Sequence, residues 1–142
     1  MQHNALLSPA EAAVAHAGTG ATGKHADSVT NAAPGTAVTV TPGFSRVELV
    51  TSGNMTSPGS EFVRGGVVFG VADYAAMLAL DQPGAMLQAA EVQFIRPVKV
   101  DELIIAEAHA RIRHGKKRHV TVTVSHGAEK VLQGEFTACL PA

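Results

Sequence analysis

The sequence predicts an α+β domain in which an antiparallel sheet of five or six strands wraps one long helix, with a short helix before it. Three observations carry this expectation. The stretch Gly65-Gly66-Val67-Val68-Phe69-Gly70-Val71-Ala72-Asp73-Tyr74-Ala75-Ala76-Met77-Leu78-Ala79-Leu80 is a long apolar run opened by a glycine pair and holding one acid. On both sides of it, apolar residues recur with a period of two, as in strands. Short glycine-containing connections join those segments, as antiparallel hairpins require.

The elements follow in order. Residues 8–17 read as a helix, with Ser8 as cap, Pro9 at the first helical position and Glu11 completing a capping box. Leu7, Ala10, Ala13, Val14 and Ala17 form its apolar stripe. From Gly18 to Gly35 the chain is rich in Gly, Thr, Ala and Asn with little to bury, which predicts a loop or a poorly ordered segment. The domain division expected is therefore an N-terminal helix and flexible loop over 1–35, and one domain over 36–142. Residues 36–41 and 45–51 alternate on either side of Pro42-Gly43 and read as a hairpin. A loop over 52–61 delivers the chain to the Gly65-Gly66 helix, and Asp81-Gln82-Pro83-Gly84 ends that helix. Strands are then expected over 86–97, 103–113, 119–126 and 130–140. One face of the second carries Ile104, Ala106, Ala108, Ala110 and Ile112. The third carries Val120, Val122 and Val124, and the fourth Leu132, Gly134, Phe136 and Ala138. The long helix is apolar all round, so it is expected to be enclosed by the sheet or by a partner subunit.

Composition narrows the function. Of 142 residues, 46% are apolar, enough for a continuous core without disulfides or a structural metal. A formal charge of -1 gives no general attraction to nucleic acid or to an anionic membrane. The one cysteine, Cys139, excludes an internal disulfide and reads as a small packing residue. No run of 18 apolar residues occurs, and a cytoplasmic protein is expected.

Several local patterns invite chemistry. Gly18-Thr19-Gly20-Ala21-Thr22-Gly23-Lys24 has the spacing of a phosphate-binding loop, but His25 stands where Ser or Thr is needed and no strand precedes it. The seven histidines are scattered, without metal-ligand spacing, so neither a metal nor any other cofactor is expected. Residues 111–119 hold five of the eleven basic residues. They read as a solvated hairpin tip that also suits a phosphorylated ligand, since Arg offers bidentate contacts and Lys a mobile charge. Asp73 is the remaining oddity, because a carboxylate in an apolar helix must be hydrogen-bonded, paired or used. Gly65 and Gly66 expose N–H groups at the helix start that can polarise a carbonyl oxygen. Asp73 stands about two turns further on and cannot face a carbonyl held at the start of its own helix unless the ligand lies across that helix or the acid comes from a second subunit. A symmetric dimer offers such a shared site.

Residues 36–140 resemble the hotdog-fold acyl-CoA thioesterases, particularly the phenylacetate-pathway-like and 4-hydroxybenzoyl-CoA-like groups. The resemblance rests on Gly65-Gly66 with Val71-Ala72-Asp73, on Val92-Gln93-Phe94-Ile95-Arg96-Pro97-Val98, and on Gly134-Glu135-Phe136. It implies a homodimer, or a dimer of dimers, with the thioester at the subunit interface. It also implies a carbonyl held by the N–H of Gly65 or Gly66, with Asp73 of the facing subunit as nucleophile or general base. Coenzyme A enters only as part of the substrate. Its phosphates are matched to Arg96, Arg113, Lys116, Lys117 and Arg118, and the acyl pocket to Phe69, Tyr74 and Met77. Asn54 and Ser60 are the polar candidates of the 52–64 loop. The family commonly has His before the glycine pair, whereas this chain has Arg64, which can pair with Asp73 or steer an anionic acyl group. That departure motivates the alternative of a non-catalytic protein that binds acyl-CoA or a related ligand.

Overall fold

A computed structural model describes residues 33–111 and 115–141. The helix expected over 8–17 and most of the 18–35 loop lie outside the described residues. Six strands form one antiparallel sheet: β1 (Thr36–Thr41), β2 (Phe44–Val50), β3 (Met86–Phe94), β4 (Leu103–Arg111), β5 (Lys117–His126) and β6 (Glu129–Cys139). Their spatial order is β1-β2-β4-β5-β6-β3, so the chain leaves the sheet after β2 and returns at the far edge. The connection is α1 (Gly65–Leu80), which has the bounds the sequence indicates. Asp81 ends it in a left-handed conformation and donates its N–H to the Met77 carbonyl.

The core lies between α1 and the inner face of β2, β4, β5 and β6. Small residues bring helix and sheet close together: Ala72, Ala75, Ala76 and Ala79 on α1 and Ala106 and Ala108 on β4 are all buried. Val47, Ile104, Val120, Val122, Val124, Leu132 and Phe136 fill the remaining space, each worth roughly 1.5–3 kcal/mol when fully removed from water. Two polar contacts pin the second half of α1 to the first hairpin. The buried Ser45 hydroxyl donates to the Ala75 carbonyl at 2.6 Å, and the Gly43 N–H donates to the Ala79 carbonyl at 3.2 Å.

The strand ends differ from the sequence expectation. β3 stops at Phe94 instead of 97, because the chain turns away where Ile95 and Arg96 both donate their N–H groups to the Val131 carbonyl. Pro97, without an N–H, cannot extend the ladder. β5 begins at Lys117, so Lys117 and Arg118 belong to a strand, paired with Cys139 and Ala138, and not to a hairpin tip. β6 approaches β3 closely at Gly134, where a Cβ would stand 2.5 Å from Val92 Cγ1 and 2.7 Å from the Glu91 carbonyl oxygen. Only glycine fits that crossing.

Candidate functional site

Within α1, Val68, Val71, Ala72, Ala75 and Ala79 face the sheet and are buried, whereas Val67, Tyr74, Met77 and Leu78 are only partly covered. Asp73 is 2% exposed. It stands one turn after Phe69, on the same face of the helix. The Phe69 ring packs on Phe136 of β6, centroid to centroid 5.5 Å. Asp73 therefore lies on the flank of α1 turned toward β6, the neighbour of β3 in the sheet. Met77 follows on that flank one turn later, while Tyr74 is rotated from Asp73 by about 100°.

At the other end of the helix, Arg64 takes an extended conformation and its side chain makes no capping hydrogen bond. Gly65 and Gly66 are partly exposed, with their N–H groups at the helix start. The segment before them is held on two sides. The Val63 N–H donates to the Val98 carbonyl at 2.7 Å, and the Arg64 N–H donates to the Met55 carbonyl at 3.0 Å. At 1.5 Å per residue, Asp73 lies roughly 12 Å along the axis from Gly65. The structure thus keeps the two halves of the expected site apart within one chain.

The other candidates are dispersed. Asn54 is exposed in a 3-10 turn (Gly53–Met55), where its Oδ1 accepts the Ser52 hydroxyl at 2.6 Å. Ser60 accepts the Phe62 N–H at its Oγ. Arg96 is exposed and pairs with Glu129 at 2.9 Å. Lys116 and Lys117 are exposed, and the Arg118 guanidinium donates to the Gly115 and Lys117 carbonyls. Arg113 lies outside the described residues. Lys117 is level with Cys139 and Met86, at the start of β3, whereas Val63 and Val98 lie beyond its end. Lys116, Lys117 and Arg118 are therefore separated from the helix start by the nine-residue length of β3, about 30 Å, whereas Arg96 follows the end of β3 on the helix-start side. Among the described residues no group of three His, Cys, Asp or Glu could hold a metal ion. No described helix is long and apolar enough to cross a membrane.

One hub is invisible to sequence reasoning. Thr51, buried at 1% exposure, follows β2 and meets the turn before β4 with every polar group it has. Its N–H donates to the Glu102 carbonyl at 3.0 Å and its carbonyl accepts the Asp101 N–H at 2.9 Å. Its hydroxyl donates to the Lys99 carbonyl at 2.6 Å and accepts the Glu102 N–H at 3.0 Å. These partners are about fifty positions away in sequence, and an isolated threonine beside a loop carries no signal of them.

No family model matches the chain. Among curated proteins, it is 41% identical over 102 residues to a methylthioribose-1-phosphate isomerase of Aquifex aeolicus, covering 72% of this chain and 22% of that protein. It is 27% identical over 77 residues to the transcription factor FapR of Caldanaerobacter subterraneus, covering 54% of this chain and 38% of the relative. The chain thus spans well under half the length of these curated relatives. Among solved structures, the uncharacterized protein PH1136 of Pyrococcus horikoshii is 40% identical, with a TM-score of 0.72 over 75% of this chain and 82% of that one. Zebra fish thioesterase superfamily member 2 is 20% identical with a TM-score of 0.66, covering 74% and 80% of the two chains. Streptococcus mutans smu.793, solved bound to acetyl CoA, is 15% identical with a TM-score of 0.67, covering 76% and 89%.

Proposed function

We propose that this chain, which belongs to the hotdog-fold superfamily and to one family with PH1136, hydrolyses an acyl-CoA thioester at a site shared by two copies of itself. The observation that carries this reading is the single helix with N–H groups at its partly exposed start and a buried carboxylate roughly 12 Å away. The two halves stand too far apart to act on one carbonyl within a chain, and a second copy brings them together. β3 is a nine-residue edge strand with no partner on its outer side among the described residues, and it contains no lysine or proline to discourage pairing. Two β3 strands paired antiparallel about a two-fold axis bring the end of one beside the start of the other. That arrangement presents Asp73 of one copy to the Gly65-Gly66 end of its partner. It also brings Lys117 and Arg118 toward the partner's helix start, where the coenzyme A phosphates need cations.

In this site the Gly65 or Gly66 N–H holds the thioester oxygen, and negative charge builds there as water attacks the carbonyl carbon. The Asp73 carboxylate takes the proton from that water. Collapse of the tetrahedral adduct breaks the C–S bond, and the proton passes to the departing thiolate. Direct attack by Asp73 through an acyl anhydride is the other route to the same products. Arg64, an exposed guanidinium next to the N–H donors, favours an acyl group that carries its own carboxylate. Support for the ligand class comes from smu.793, a protein of the same fold holding acetyl CoA. The test is release of free thiol from a panel of acyl-CoAs, by wild type and by Asp73→Asn.

A second reading is a ligand-binding module without turnover. Two observations favour it: Arg64 replaces the usual histidine, and the matching segment in both curated relatives is a minor part of a longer chain. Saturable binding of acyl-CoA by calorimetry, with thiol release at the buffer rate, selects this reading.

A further inference from the structure

We infer that Thr51 is a positioning residue for the carbonyl-binding N–H groups of Gly65 and Gly66, an inference that rests on the hydrolytic reading of that site. The path is short and entirely polar. The Thr51 hydroxyl holds the Lys99 carbonyl at 2.6 Å, and the Lys99 N–H is in turn held by the Glu102 carboxylate at 3.0 Å. Glu102 is fixed by its own N–H to the Thr51 hydroxyl and its carbonyl to the Thr51 N–H. The turn so locked includes Asp101 in a left-handed conformation, φ 64°, which a non-glycine residue adopts only when its surroundings hold it there.

This turn is what the helix start leans on. Phe62 bridges to Lys99, and the Val63 N–H donates to the Val98 carbonyl. Arg64, Gly65 and Gly66 are the next residues in the chain. Thr51 also begins the loop that leads to them, so one side chain fixes both the root of the loop and the surface against which its end is seated. An N–H donor that must meet an oxygen supplied by a ligand, opposite a carboxylate from another subunit, tolerates little displacement. A misplacement near 1 Å costs about a hundredfold in rate. Binding of the coenzyme A arm, which does not use the Thr51 contacts, is expected to be preserved.

The experiment compares wild type, Thr51→Val and Thr51→Ser in steady-state thiol release from whichever of acetyl-, butyryl- and malonyl-CoA wild type turns over. Amide hydrogen exchange at Val63 to Gly66 is followed in parallel. The inference expects Thr51→Val to lose at least about tenfold in kcat with KM within about threefold, and to exchange faster at those amides. Thr51→Ser, which keeps the hydroxyl, restores at least half of kcat. Full activity in a folded Thr51→Val overturns it, as does equal damage in Thr51→Ser. If Thr51→Val does not fold, Glu102→Ala, which frees the Lys99 N–H from the partly exposed rim of the turn, takes its place. An unchanged kcat and unchanged exchange there overturn the inference as well. A wild-type protein that releases no thiol from any of the three esters overturns the hydrolytic reading itself, and the role of Thr51 with it.

Discussion

Asp73 and Arg64 are the two residues whose chemistry departs most from their surroundings, and each gives a prediction of its own. Asp73→Asn keeps the size of the side chain but replaces one acceptor oxygen with an amide donor and removes its basicity. Thiol release is expected to fall by a hundredfold or more while the thermal midpoint is retained, since removing a positioned general base typically costs 10²–10⁴-fold. Arg64→Met removes the guanidinium from an exposed position, so stability should barely move. The measurable effect is on selectivity: the preference for malonyl- over butyryl-CoA should drop about tenfold or more, read as the ratio of kcat/KM values. Both residues were legible in the sequence, Asp73 because a charge in an apolar helix is anomalous and Arg64 because it adjoins the glycine pair. Thr51 and Ser45 were not. Their importance comes from partners brought near by the fold, and nothing in local spacing encodes a hydroxyl that reaches across thirty to fifty residues.

Among the elements, α1 was the most readable, its glycine pair and its Asp81-to-Gly84 ending marking both limits. The strands were found by their alternation, but their ends were not. The length of β3 was overestimated because the apolar pattern runs on through Ile95, while the backbone there has already turned toward Val131. The strand order was also hidden, since nothing local tells β3 to dock beside β6 instead of β2. Gly134 is what permits that docking. Gly134→Ala would drive a methyl group into Val92 and the Glu91 carbonyl. A loss of about 1–3 kcal/mol in urea unfolding is expected, the usual cost of overpacking. The opposite edge carries a separate liability. β1 reads Thr-Ala-Val-Thr-Val-Thr, uncharged and exposed along its whole length, with an irregular register at Val38 as its only visible defence. Val38→Lys should reduce aggregation on heating, followed by light scattering, without lowering the midpoint of unfolding.

For the molecule as a whole, the fold places the helix start and the Lys117–Arg118 pair at opposite ends of β3, with the carboxylate on the helix flank turned toward β6. In the proposed dimer a two-fold axis perpendicular to β3 unites them, and the protein is expected to sediment at about twice its 14.6 kDa chain mass. Because one helix carries half of each of two sites in the proposed dimer, a lesion in one chain and a different lesion in another are not expected simply to add. Consider Asp73→Asn mixed with a proline variant at Gly65 that removes an N–H yet suits the first helical turn. With the Gly65 N–H as the donor, each homodimer is dead at both sites. A mixed dimer gathers both defects into one site and leaves the other untouched. Equal amounts, allowed to exchange subunits at random, should recover about a quarter of wild-type turnover from two inactive preparations. Such rescue between dead partners is a property of paired half-sites, and a protein with its whole site in one chain cannot show it.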